Sequence, residues 1–355
     1  MHTAQRPTPA YGGAEQVWAA VAEMIADALG VAGGAVGGVG IASAGPIDLH
    51  SGRVSPINIG SWGGFPLRDR VAAAVPGVPV RLGGDGVCMA LGEHWLGAGR
   101  GARFLLGLVV STGVGGGLVL DGAPCLGRTG NAGHVGHVVV DPDGSPCPCG
   151  GRGCVETIAS GPSLARWARA NGWSAPPGAG AKELAEAAGA GDPVALRAFR
   201  RGAAALAAMI ASVGAVCDLD LAVIGGGVAK SGRLLFEPLR AALADHARLD
   251  FLAGLRVVPA ELGGAAGLVG AASSRHLDGA AALAAMIASV GAVCDLDLAV
   301  IGGGVAKSGR LLFEPLRAAL ADHARLDFLA GLRVVPAELG GAAGLVGAAR
   351  LAAIA

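Results

Sequence analysis

Neither sign of charge is in excess in this chain: 27 Lys and Arg face 27 Asp and Glu, a formal net charge of +0. Without a net field, nothing draws the protein toward nucleic acid or an anionic membrane. Charge of any kind is scarce at 15%, and aromatic residues are scarcer still at 4%. Hydrophobic residues reach 52%. That balance excludes disorder for most of the chain, because disordered segments are polar, charged and poor in aliphatic side chains. Long apolar runs are missing as well. Ala, Gly and Val supply the mean hydropathy of +0.56, and the longest uncharged stretches, 104–120 and 202–217, are broken by Gly, Ser or Thr. Both fall short of the ~20 apolar residues of a spanning helix. No basic segment leading into an apolar one opens the chain, so no secretory signal is expected. These absences point to a cytoplasmic protein with no membrane and no nucleic-acid partner.

What the 355-residue chain has in plenty is glycine, 63 residues, and repetition. Residues 202–272 recur letter for letter as 279–349, at an offset of 77, with a six-residue joint at 273–278. Natural repeat architectures have periods of ~20–50 residues and drift in sequence. A perfect 71-residue copy therefore fits a recent tandem duplication, or an assembly error, better than a solenoid. The first copy continues a helix that starts within 192–201 and is expected in its native place; the second is surplus. Only one copy can complete a lobe. The other must swap, hang as a partial fold, or be absent from the real protein, and an unpaired copy exposes Val- and Leu-rich strand edges.

The remaining pattern alternates helix and strand. Val17, Ala20, Val21, Met24, Ile25 and Leu29 have helical spacing, which predicts an amphipathic helix over 15–29. Further helices are expected at 66–75, 87–96, 163–170, 181–188 and 193–215. Strands are expected at 36–43, 78–82, 104–111, 116–120 and 221–224. Asp85 follows a buried strand among glycines at a helix start, where it serves either as an N-cap or as a general base facing a cleft. Asp48, Asp69, Asp141 and Asp143 read as turn or cap residues.

His137, Cys147, Cys149 and Cys154 form H-x9-C-x-C-x4-C, with glycines at 144, 150, 151 and 153. Thiolates with one imidazole suit tetrahedral zinc, and four ligands without a vacancy describe a structural site. Cysteines separated by a single residue are poorly placed to bridge each other. The alternative is three reduced structural thiols. Cys88, Cys125, Cys217 and its duplicate Cys294 stand alone and read as small core residues. The run Ser111-Thr112-Gly113-Val114-Gly115-Gly116-Gly117 is expected as a turn that presents backbone N–H groups and the Thr112 hydroxyl to a phosphate. Gly225-Gly226-Gly227 follows a strand and leads toward a helix, a plain strand-to-helix turn or one edge of a nucleotide site. It has neither P-loop nor Rossmann spacing.

The stretch GVGGGLVLDGAPCLGRTGNAGHVGHVVVDPDGSPCPCGGRGCVETIASG (113–161) resembles the signature region of the ROK family, the repressor, open-reading-frame and kinase group. The similarity extends to GIASAGPIDLHSGRVSPINIGSW (40–62), GGDGVCMALGE (83–93) and LAVIGGGVAKSGRLLFEPLR (221–240, again 298–317). The resemblance implies an α/β actin-like ATPase (ribonuclease H-like) fold, two lobes with a cleft between them. It also implies phosphorylation of a hexose by ATP with Mg2+, as in glucokinases and N-acetylhexosamine kinases, by a protein that forms a homodimer. Carried over by position, Asp85 is the general base. Gly45, Asn58, His134, His137 and Glu156 face the sugar, and His137, Cys147, Cys149 and Cys154 hold a structural Zn2+. Thr112, Gly113, Gly115 and Gly116 form the phosphate-side loop, and Gly225, Gly226 and Gly227 the adenosine-side loop.

Several departures accompany the resemblance. The family's opening D-x-G-G-T, which holds magnesium and the outer phosphates, is absent from this sequence. This is the expectation for a chain lacking about 40–50 residues, some three leading strands. Gly84 and Val87 stand where the family has Asn, and His134 stands where it has Glu, so a donor as well as acceptor faces the sugar. The implied organisation is 1–100, remnant of the N-terminal lobe; 101–272, the C-terminal lobe; 279–349, the surplus duplicate; and 350–355, a helix end. The competing reading is a non-catalytic, sugar-binding ROK regulator or sensor. A regulator needs a helix-turn-helix ahead of this region, and none is legible in the sequence.

Overall fold

A computed structural model describes residues 3–9, 12–33, 36–272, 287, 298–301, 309–323 and 331–337. The joint 273–278, Cys294 and the closing 350–355 lie outside them. The N-terminal part contains helix α1 (Ala14–Val31), strand β1 (Val39–Ser43), a hairpin of β2 (Ile47–Asp48) and β3 (Arg53–Val54), helix α2 (Leu67–Ala74) and strand β4 (Val80–Gly84). β1 and β4 pair in parallel from Val39↔Val80 to Ser43↔Gly84. A small core of Val17, Ile47, Val54, Trp62, Phe65 and Val71 joins α1 and α2 to the hairpin. Within it the Trp62 and Phe65 rings stack at 4.4 Å. The hairpin was not expected from the sequence, since its strands are two residues each and carry no readable alternation.

Helix α3 (Asp85–Leu96) follows β4 directly. Then come β5 (Phe104–Val110), β6 (Val114–Leu120) and β7 (Ala123–Cys125), the helices α4 (Glu156–Ala159), α5 (Gly161–Ala170), α6 (Ala181–Gly189) and α7 (Pro193–Cys217), strand β8 (Leu221–Gly225), helix α8 (Arg233–His246) and strand β9 (Arg256–Pro259). The strands form one mixed sheet in the order β7-β6-β5-β8-β9. Helix α9 (Gly263–Ala272) closes this part. Asp192 caps α7, accepting from Val194 N and Ala195 N at 2.8 Å each. By length and composition α7 alone among the described helices could cross a membrane, yet its apolar face, including Phe199, Leu206, Met209 and Ile210, is fully buried in the protein core.

Two expectations need correction. The bend is shorter than the run 111–117: the strand expected at 116–120 already begins at Val114, so Gly115 lies in β6 and only 111–113 form the hairpin bend. Glycine in a strand also marks close backbone approach, and that is the case here. A Cβ on Gly117 would collide with the Val87 backbone, and one on Gly107 would stand 2.6 Å from Ala90 Cα. The glycines of β5 and β6 thus let α3 lie directly on the sheet. On its other side α3 meets α9, where Cβ atoms on Gly92 and Gly270 would collide with the backbones of Ala266 and Cys88. A Cβ on Gly40 would likewise strike Ala271, so α9 also reaches back to β1. The second correction concerns Asp85. It is the first residue of α3, with Gly84 in the N-cap position.

The second copy of the repeat contributes β10 (Leu298–Ile301), α10 (Arg310–His323) and β11 (Arg333–Pro336). β10 and β11 pair in parallel as a separate two-stranded sheet.

Candidate active site

Asp85 is delivered to the cleft by the end of β4 and the first turn of α3. Its Oδ1 accepts the Gly86 N–H at 2.7 Å. Asp85 is an exposed residue at the cleft mouth, although protein surrounds much of its carboxyl group. That burial pushes its pKa above the usual aspartate value of 3.8, against the smaller lowering effects of the Gly86 N–H and the nearby His134. A raised carboxyl is a stronger base than an ordinary aspartate.

His134 closes one side. Its Nδ1 lies 2.9 Å from the Asn131 carbonyl oxygen. A Cβ on Gly45 would stand 3.1 Å from His134 Nε2, so the glycine keeps that ring nitrogen accessible. The hairpin bend 111–113 leads into β6, which packs on the head of α3. Gly86 at the head of α3 sits so close to Gly116 that a Cβ there would collide with its carbonyl. Asp85 is thereby fixed beside β6, which leaves the bend. Glu156, the first residue of α4, accepts the Val114 N–H through Oε2 at 2.8 Å, and a Cβ on Gly113 would stand 2.6 Å from that oxygen. The Ser111 carbonyl accepts the Gly161 N–H at 2.8 Å, which ties the bend to α5.

Behind the bend opens a cavity of about 990 Å³, walled by Ser111, Thr112, Pro162, Ala185, Gly227 and Val228 among others. Its size suits a nucleotide-sized ligand. Of the residues expected on the nucleotide side, Thr112 and Gly227 line this cavity. Gly225 is paired within β8, and Gly226, at φ 93, packs against the Val110 carbonyl and turns the chain. Gly115 has open space where a side chain would be, whereas Gly116 faces Val135. Asn58 lies on an exposed turn before the short helix Gly60–Trp62.

The ligand atoms of His137, Cys147, Cys149 and Cys154 all lie within 4.8 Å of one another. The separations are 3.6 Å from His137 Nδ1 to Cys147 Sγ and 3.8 Å between the sulfurs of Cys149 and Cys154. Zn–S and Zn–N bonds at tetrahedral angles give about 3.6 Å between N and S and about 3.8 Å between sulfurs, so the donor set fits that ion. Burial and the adjoining sulfurs push the Cys154 thiol up to about 12, and a cation among them would reverse this. No residue of the chain is assigned to magnesium, because D-x-G-G-T does not occur in it.

Sequence reasoning missed two residues. The Asn131 side chain bonds both backbone groups of Ile47, 84 positions away. Glu93, fully buried in α3, accepts N–H groups from Ala98, Glu261 and Leu262 at 2.8–3.1 Å, which fixes the approach to α9. Neither could be found from spacing, since the partners that define them, Ile47 for Asn131 and Glu261 and Leu262 for Glu93, are distant in the chain.

Two α/β parts around a cleft, with an aspartate at its mouth and a nucleotide-sized cavity beside a hairpin bend, are the arrangement of a sugar kinase of the actin-like ATPase fold. The sequence profile of the ROK family matches residues 1–277 and again 278–354, and the chain belongs to that family. It is 39% identical over 249 residues to a glucokinase of Thermotoga maritima, covering 66% of this chain and 78% of that one. An N-acetylmannosamine kinase of Yersinia pestis is 35% identical over 223 residues, 61% of this chain and 72% of its own length. Among solved structures, the ROK family glucokinase of Streptomyces griseus in complex with glucose and AMPPNP superposes with a TM-score of 0.65. It is 36% identical, and the match covers 75% of this chain and 88% of that one.

Proposed function

We propose that this protein transfers the γ-phosphoryl group of ATP to a hydroxyl of a hexose, of the glucose or N-acetylhexosamine class, with Asp85 as general base. The observation that carries this reading is the placement of Asp85. Its carboxylate, made more basic by burial, lies at the head of α3 between the His134 side of the cleft and the bend of the nucleotide cavity. As the sugar oxygen attacks the γ-phosphorus, Asp85 takes the hydroxyl proton, the bond to the bridging oxygen breaks, and ADP leaves. Phosphoryl transfer needs little beyond alignment and charge stabilisation, so a rigid carboxylate is the main chemical contribution of this chain. Gly45, Asn58, His134, His137 and Glu156 form the sugar side; Thr112, Gly113, Gly115, Gly116 and Gly225–Gly227 form or support the nucleotide side. His137, Cys147, Cys149 and Cys154 would hold zinc, which stiffens the loop leading to Glu156. Magnesium would neutralise phosphate charge, and no step is assigned to it.

The test is a coupled ADP-release assay over a hexose panel. Asp85→Asn is expected to lower kcat by about 10²–10⁴-fold, while sugar still binds in calorimetry. Turnover that survives Asp85→Asn overturns the mechanism, and sugar binding without turnover in the unaltered chain favours a sensor. For the metal, about one zinc per chain is expected in reducing buffer, lost in Cys154→Ser. Less than about 0.2 equivalents in fresh protein overturns the zinc assignment.

A further inference from the structure

We propose that Asn131 is a positioning residue of the sugar site, which pins the β2–β3 hairpin to the loop carrying His134 and presents His134 Nε2 to substrate as a hydrogen-bond acceptor. This rests on the sugar-kinase reading and adds to it the sense of one hydrogen bond. Asn131 Oδ1 accepts the Ile47 N–H at 2.9 Å, and Nδ2 donates to the Ile47 carbonyl at 2.7 Å and to Thr129 Oγ1 at 3.0 Å. The orientation of the amide follows from its partners. Ile47 N–H can only donate and its carbonyl can only accept, so a flipped amide would set donor against donor and acceptor against acceptor. The side chain thus serves both backbone groups of one residue, as a neighbouring strand would. Packing agrees: a Cβ on Gly130 would stand 2.5 Å from Leu49 Cγ and 3.4 Å from Ile47 Cγ1. The loop is seated on the hairpin through its backbone.

The main chain of the same asparagine sets the chemistry of His134. The Asn131 carbonyl can only accept, so the ring nitrogen 2.9 Å from it, Nδ1, carries the proton. In the neutral ring Nε2 then has a free lone pair, and it is Nε2 that faces Gly45, where the missing side chain leaves room. Asp85 and His134 are near enough that a protonated imidazole would hold the carboxyl lower; with the neutral ring that pull is absent, and both groups stand as acceptors. The cleft therefore offers two acceptors to the sugar, a carboxylate for the attacking hydroxyl and Nε2 for a second hydroxyl that must donate. A position occupied by two acceptors selects for hydroxyl groups and against their replacement by hydrogen.

Two measurements test this on the full chain. Nitrogen-15 NMR at a pH where the ring is neutral, with the His134 signals assigned through His134→Gln, is expected to show Nδ1 protonated and Nε2 bare. The opposite tautomer overturns the proposal. Calorimetry with glucose and with AMPPNP is then run on Asn131→Ala and Asn131→Asp. Both variants are expected to lose about 10-fold or more in glucose affinity, with AMPPNP affinity held within about twofold. Unchanged glucose affinity, or an equal loss for both ligands, overturns the positioning role. The tautomer is read without sugar, so it decides the proposal even if the unaltered chain binds no hexose, a result that overturns the parent reading instead.

Discussion

Residues 202–272 and 279–349 are one sequence in two settings. Their described secondary structure is the same residue for residue: β8, α8 and β9 reappear as β10, α10 and β11, and Leu221↔Arg256 reappears as Leu298↔Arg333. The packing of helix on strand repeats as well. Arg240 Nη2 donates to the Val257 carbonyl at 3.1 Å, and Arg317 Nη2 to the Val334 carbonyl at 3.3 Å. Leu239 and Leu316 are both fully buried. The opposite face differs. Leu221 and Val223 are 2% and 0% exposed, whereas Leu298 and Val300 are 40% and 58% exposed. In the first copy that face meets β5 and a core that includes Val87, Met89, Ala90 and Ala266 of α3 and α9. A single α3 exists, and the first copy occupies it. Local sequence makes the βαβ unit twice, but one unit alone completes the sheet that holds the site.

The same substitution in each copy gives the largest expected contrast. Val223→Asp places an unpaired charge in the core and is expected to cost about 4 kcal/mol or more, while Val300→Asp changes stability by less than about 0.5 kcal/mol. Urea unfolding measures both, and equal effects would erase the distinction between the copies. A smaller contrast is expected at the nucleotide cavity. Gly227→Val narrows it and is expected to raise the KM for ATP about 10-fold, whereas Gly304→Val, the matching change in the second copy, leaves KM unaltered. Steady-state kinetics decide this; a matching rise in Gly304→Val would place the second copy at the cavity.

The smallest effect comes from outside both copies. The folded state raises the Asp85 pKa, mainly by burial, so it binds this proton more readily than the unfolded chain does. Stability contributed by the protonated form is then present below the unfolded pKa and is lost as pH rises through the folded one. Asp85→Asn is therefore expected to raise the melting temperature slightly at neutral pH while activity is lost. In the unaltered enzyme, kcat/KM is expected to fall on acidification at a higher pH than an ordinary aspartate would set. A pH–rate profile with an ordinary aspartate limb contradicts that. The gap between Val223→Asp and Val300→Asp should persist in the Asp85→Asn background, since the sites share no partner.

Much of the site was legible because it is local. His137, Cys147, Cys149 and Cys154 lie within 18 residues, and a glycine-rich loop brings their donor atoms together. Asp85 stands at a strand-to-helix junction that the apolar run before it and the helical run after it both mark. The extent of the bend before β6 was misjudged for a physical reason. Glycine signals either a bend or a close approach, and only the position of α3 shows that Gly116 and Gly117 are the second kind. Asn131 and Glu93 were illegible because each is defined by backbone groups 84 and about 168 positions away.

By itself the sequence determined the longer helices and strands up to 224, the family, the cluster of metal-ligand residue types and the presence of two identical units, because these depend on neighbours within a few tens of residues. The tertiary structure decided which copy is buried, which glycines meet a helix, which ring nitrogen of His134 lies beside Gly45, and how closely protein surrounds the Asp85 carboxyl. Those properties depend on desolvation and on contacts between segments far apart in the chain, and identical residues acquire different values of them, as Val223 and Val300 do.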